Sequence, residues 1–115
     1  MANPNLLNIT SITAQKKVGT LTTGSTGFQI VNLSSSDTLV KVISIYLTNK
    51  TTSTVSINAW QDGVHFADAL DLPPETTIQL VSKDAPLYVL EGSNVSMSCS
   101  NASSVDAVCA YEVMG

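Results

Sequence analysis

Short apolar runs separated by polar turn clusters recur along the whole of this chain, and no segment contests a strand reading. The pattern is plainest from residue 71, in DLPPETTIQLVSKDAPLYVLEGSNVSM. Apolar runs at 76–81, 87–90 and 95–99 are opened by Pro73-Pro74-Glu75, divided by Lys83-Asp84-Ala85-Pro86 and reversed by Glu91-Gly92-Ser93-Asn94. Pro, Gly, Asp and Asn at those points supply turn geometries that a continuing strand cannot adopt, so the spacing predicts an antiparallel β-fold.

The longest β-run is 39–48, LVKVISIYLT. Alternation places Leu39, Ile43, Ile45 and Leu47 inward, with Lys41 at an edge of that face. Val40, Val42 and Tyr46 then form a second face that is apolar for a solvated side. Such a face is either a contact surface or is covered by the N-terminal segment of the same chain. Residues 54–61 predict a strand with Val55, Ile57 and Ala59 on one face. Asp62-Gly63 follows as a type I′ hairpin turn, which needs positive φ at both central residues. A two-residue turn there sets Trp60 opposite His65 and Ala59 opposite Phe66. It would also set Asp68 opposite Ile57, so a bulge or break is expected at 67–69.

Residues 14–27 are poor in apolar side chains and read as a loop with at most a short strand at 18–21. Phe28, Ile30 and Leu33 mark the next strand, closed by a polar turn at 34–37. Residues 105–113 alternate as a half-buried final strand. The segment before residue 14 carries Leu6, Leu7, Ile9 and Ile12, and is expected to be either a first strand or an arm that pairs with a neighbouring subunit. The expected organisation is residues 1–13 as that strand or arm, and 14–115 as one antiparallel β-sandwich of about eight strands, jelly-roll or immunoglobulin-like.

Composition narrows the function classes. The chain has 115 residues, 43% hydrophobic and only 12% charged, against roughly 25% charged in ordinary domains. Ser and Thr, about a quarter of the residues, keep the surface wet. They lose little side-chain entropy when covered, which suits a protein packed into an assembly. The net charge is −4, with lysines and no arginine, so phosphate recognition and nucleic-acid binding are not expected. No signal-peptide pattern opens the chain and no apolar run reaches membrane-spanning length. Synthesis in the cytoplasm without membrane insertion is therefore the expectation. Five Asn-x-Ser/Thr triplets, at Asn8, Asn32, Asn49, Asn94 and Asn101, read as products of a Ser/Thr/Asn-rich composition.

Cys99 and Cys109 fit neither a disulfide framework nor a zinc site. A two-residue turn at Ser103-Ser104 would set Cys99 opposite Val108, and an odd loop centred on Ser104 would set it opposite Cys109. Reduced, buried thiols are the expected state. His65 is the single histidine, and its spacing to Asp62, Asp68 and Asp71 matches no calcium loop. No G-x-S-x-G nucleophile elbow, converging carboxylate pair or phosphate-cradling glycine loop is found. No catalytic residue, cofactor or metal is therefore expected.

The opening ANPNLLNITSIT, the series LPPETTIQLVSKDAPLYVLEGSNVSM and the terminal AYEVM together resemble the small virion structural proteins of tailed phages, cyanophages in particular. That resemblance spans most of the chain and rests on turn and strand signatures. It implies a non-enzymatic β-sandwich on the particle, as a capsid decoration or cement protein or as a neck, tail or baseplate piece. The expectation taken from it is a decoration or cement subunit bound to the major capsid protein or another virion protein, and homo-oligomeric as a trimer. The expected contact residues are Leu6, Leu7, Ile9, Ile12, Val40, Val42, Tyr46 and Trp60. An alternative of a different class is a carbohydrate- or receptor-binding module built on Trp60, Asp62 and His65.

Overall fold

A computed structural model describes residues 11–115. They form nine strands and no helix: β1 Ile12–Thr20, β2 Gln29–Val31, β3 Leu39–Asn49, β4 Val55–Gln61, β5 Val64–Leu72, β6 Thr77–Val81, β7 Leu87–Val89, β8 Asn94–Cys99 and β9 Val105–Met114. Two antiparallel sheets pack face to face. One has the order β1-β9-β3-β6 with β7 also on β3, and the other the order β2-β8-β4-β5. The first is called sheet A and the second sheet B.

β6 and β7 lie end to end on the same edge of β3, β6 on residues 45–48 and β7 on residues 40–42. Counted as one interrupted strand, they reduce the nine to eight, in the orders 1-8-3-6 and 2-7-4-5. This is the strand order of a jelly roll. The break between them is the Lys83-Asp84-Ala85-Pro86 turn.

Leu47, Ile45 and Val42 of β3, Ile57 and Val55 of β4, Val95 and Met97 of β8, and Val105 and Cys109 of β9 fill the space between the sheets and are all but inaccessible. Inward alternation in 54–61 and 105–113 runs as expected. In β3 it does not. β9 pairs Tyr111 with Val42 and Ala110 with Ser44, leaving Ile43 as an extra, bulged residue. One extra residue reverses the parity of a strand. Val40 and Val42 therefore face the core before the bulge, and Ile45 and Leu47 face it after. The expected outward face of Val40 and Val42 is corrected accordingly; only Tyr46 of that trio points to solvent.

The hairpin at Asp62-Gly63 has positive φ at both residues, 53° and 80°, and Trp60 stands opposite His65. Ala59 pairs with Ala67 rather than Phe66, because β5 bulges a first time at Phe66. The second bulge falls where it was expected, bringing Leu70 opposite Ile57. There Ala69 takes φ 49° and donates its amide to Asn58 Oδ1 at 2.7 Å. β1 is longer than the short strand expected at 18–21, because Thr13, Gln15 and Lys17 can sit at a sheet edge without burying their polar groups. Phe28 closes against Gly19, where a Cβ would come within 3.2 Å of the ring.

Both alternatives for the cysteines assumed that their strands pair. They do not. β8 belongs to sheet B, where Cys99 faces Ile57, and β9 to sheet A, where Cys109 faces Ile45 and Lys17. The connection between them crosses from one sheet to the other, pinned by Lys50 N to Ser104 O at 3.1 Å and Leu21 N to Val105 O at 2.8 Å. Both thiols are free and buried.

Two buried amides fasten the sheets together. Asn49, the last residue of β3, is wholly inaccessible. Its Nδ2 donates to the carbonyls of Ser53 at 2.8 Å, Leu72 at 2.9 Å and Pro73 at 3.1 Å. Its Oδ1 accepts from the Thr51 amide at 3.0 Å and hydroxyl at 2.7 Å. At the other end of β3, Asn32 donates to Thr38 O and Val89 O, each at 2.9 Å, and accepts from Ser36 Oγ at 2.6 Å. Each amide serves backbone carbonyls at the ends of strands and in the turns that adjoin them.

Replacing Asn49 by Ala would orphan several of those groups inside the protein, at a cost of about 3 kcal/mol. Urea unfolding should show that loss for Asn49→Ala, and less than about 0.5 kcal/mol for the exposed Asn101→Ala. Equal midpoints for the two variants would contradict the clamp.

Candidate assembly surface

The outer face of sheet A carries an exposed apolar row that runs across three neighbouring strands. Val18 of β1 stands opposite Val108 of β9, and Val108 opposite Tyr46 of β3. They are 59%, 50% and 43% exposed. Strand alternation explains their direction: the neighbours Ala107 and Cys109 are buried between the sheets, so Val108 must point out. Ile12 adds an exposed aliphatic group on the same side of β1.

The row has polar and small flanks. On one side Thr20 donates to Asp106 Oδ1 at 2.7 Å, Lys50 pairs with the same oxygen at 3.2 Å, and Thr48 and Thr77 hydroxyls meet at 2.8 Å. The Thr20 hydrogen bond, aided by Lys50, holds the Asp106 carboxyl below its ordinary value. On the other side lie Lys16, Ala110 and Ser44, so the apolar row stands as a low ridge. Beyond Tyr46 a groove of about 360 Å³ runs between β3 and the 82–86 turn, lined by Ile43, Ser44, Gln79, Lys83 and Asp84 among others.

Among the described residues β1 also ends the sheet. Ser11 and Gly115 exchange both backbone bonds at 3.1 Å, so odd-numbered residues along β1 turn their amides and carbonyls toward β9. Ile12, Ala14, Lys16, Val18 and Thr20 turn theirs away from β9. The β1–β9 register is free of bulges. The edge of sheet B at β5 differs, because two bulges interrupt it.

The remaining candidate chemistry is sparse. The Trp60 and His65 rings stack at 4.9 Å, tilted by 49°, and His65 Nε2 approaches Asp68 Oδ1 at 3.9 Å on an exposed surface. Among the described residues no group of three or more His, Cys, Asp and Glu is placed to hold a metal ion. Cys109 lies behind β1, where burial raises its thiol pKa to about 11 against the opposing pull of Lys17. Burial also raises Cys99. Neither is a ready nucleophile at neutral pH.

Of the residues singled out from sequence, Leu6, Leu7 and Ile9 lie outside the described residues. Ile12 and Tyr46 are exposed on the outer side of sheet A, Val40 and Val42 are core, and Trp60 is half-buried beside His65 on the other sheet. The expected contact set is thus not one surface. Val18 and Val108 complete the ridge and were not singled out. The alternation of 105–113 placed Val108 on the solvent side, and an aliphatic residue there was the available signal. The chain matches no protein-family model, no curated protein and no solved structure.

The buried Cys109 thiol gives a pH dependence with a definite sign. Its folded pKa lies above the ordinary 9.0, so the folded state holds the proton more tightly than the unfolded chain. That stabilisation is complete below about pH 9 and is lost as pH rises toward 11. Urea stability should fall over this window more steeply in the parent than in Cys109→Ala; identical slopes would refute the assignment.

Proposed function

We propose that the protein is a non-enzymatic virion structural protein of a tailed phage, a decoration or cement subunit that binds the major capsid protein and stabilises the head lattice. The observation that carries this reading is the solvent-facing ridge Val18–Val108–Tyr46 beside the open edge of β1. A ridge of this kind on a face whose other positions are largely polar, charged or small has its use in burial against a partner. The resemblance of the chain's turn and strand series to small phage virion proteins supplies the kind of partner. The mechanism is passive: covering apolar surface and unpaired backbone across neighbouring capsid subunits adds binding free energy that favours the closed lattice. Binding at the neck, tail or baseplate would use the same surface.

A carbohydrate-binding reading has one observation in its favour. Trp60 lines a shallow groove of about 330 Å³ with Gln29, Asn94 and Ser96, an aromatic face among hydrogen-bonding side chains. Glycan-array binding abolished by Trp60→Ala in a folded protein would support it over the structural reading.

For the structural reading, Val108→Glu places a charge in the middle of the ridge without entering the core. The purified variant should keep its unfolding midpoint and lose at least tenfold in affinity, about 1.4 kcal/mol, in co-sedimentation with heads of the encoding phage lacking the protein. Undiminished binding would sink the role of the ridge. Failure of the parent protein to bind heads, tails or whole particles would sink the virion reading itself.

A further inference from the structure

We infer that β1 pairs antiparallel with β1 of a second copy, about a twofold axis at Gln15, to join two A sheets into one. The inference does not depend on the virion reading. It rests on the edge itself. Among the described residues, five alternate residues of β1 direct outward amides and carbonyls that meet no partner, the strand is regular over Ile12–Thr20, and almost all its side chains are exposed. A free, unbulged edge of this length is a template for another strand.

The side chains select the occupant and the register. Outward-pointing even residues must meet even residues, which allows only a few twofold alignments. Centring on Lys16 opposes Lys16 to itself, and centring on Lys17 opposes Lys17 to itself; like charges directly across a ladder are unfavourable. Centring on Ala14 or Val18 avoids this but shortens the overlap. Centring on Gln15 pairs the whole of 12–18. Ile12 then faces Val18 of the second copy, Ala14 faces its Lys16, and Thr13 faces its Lys17, with about eight new backbone hydrogen bonds.

Two features on the outer face favour this alignment further. The ridge Tyr46–Val108–Val18 continues onto Ile12 of the second copy, so the exposed apolar rows of both molecules merge into one band. Glu112 is the β9 neighbour of Ala14. With only a methyl between them, Lys16 of the second copy lies two strands from Glu112, roughly 10 Å across the sheet, which the Lys stem can largely span.

Sedimentation velocity over a concentration series tests the pairing. The parent protein should dimerise reversibly. Ala14→Pro removes an outward amide that makes no bond among the described residues, so it should leave the unfolding midpoint in place and weaken dimerisation roughly tenfold or more. Gln15→Cys should form an intermolecular disulfide under mild oxidation faster than Lys16→Cys, since only the former faces itself at the spacing of a non-hydrogen-bonded pair. A parent that stays monomeric at millimolar concentration, or an Ala14→Pro variant that dimerises as well as the parent, would overturn the proposal. Faster crosslinking of Lys16→Cys would overturn the register.

Discussion

The sandwich depends on two asparagine side chains buried at opposite ends of β3. A jelly roll sends its chain from one sheet to the other at nearly every connection, and the backbone at the strand ends and turns of each crossing needs partners beyond the ladders. Asn49 gathers the carbonyls of Ser53, Leu72 and Pro73, and Asn32 those of Thr38 and Val89. A buried carbonyl left unpaired costs about 1–3 kcal/mol, comparable to burying a whole aliphatic side chain. The apolar core holds the sheets face to face, and these amides determine where each sheet ends. Their positions follow from donor geometry: a primary amide offers two N–H groups and an acceptor oxygen on a short stem.

The second constraint is a matter of counting. β3 spans the centre of sheet A and must bury one face along its full length, yet its apolar residues change parity midway. The bulge at Ile43 absorbs the mismatch, so that Val40, Val42, Ile45, Leu47 and Asn49 all face inward. The interruption between β6 and β7 falls beside the same point. A bulge twists the strand locally, and the Lys83-Asp84-Ala85-Pro86 turn lets the edge strand follow without matching the extra residue. The consequence reaches the surface. Tyr46 is delivered to the solvent face, where it meets Val108 and Val18.

Much of the fold was legible in the sequence, for local reasons. The Asp62-Gly63 turn, the Trp60–His65 pair, the bulge near residue 68 and the inward faces of β4 and β9 all follow from turn chemistry and a period of two. The errors came where pairing partners lie far apart in sequence. Val40 and Val42 were expected on the surface because a bulge leaves no local mark, and Cys99 and Cys109 were expected on paired strands because a crossing looks like a hairpin in sequence. Asn32 and Asn49 passed as members of a polar composition, since nothing adjacent reveals the carbonyls they serve. β1 was underestimated because an edge strand exposed on both faces needs few apolar residues.

Among the described residues these constraints leave the β1 edge of sheet A unfinished. The interior is satisfied by its amides, the thiols are shut away, and the β5 edge is blunted by two bulges, while the β1 edge stays regular, open and continuous with an apolar ridge. This edge and ridge are the proposed place of assembly. Hydrogen–deuterium exchange, followed residue by residue at increasing protein concentration, tests it most directly. The amides of Ala14, Lys16 and Val18 should exchange freely when dilute and slow markedly when concentrated, with the Trp60–His65 hairpin unchanged. Concentration-dependent protection at that hairpin, with β1 exchanging freely throughout, would contradict the claim.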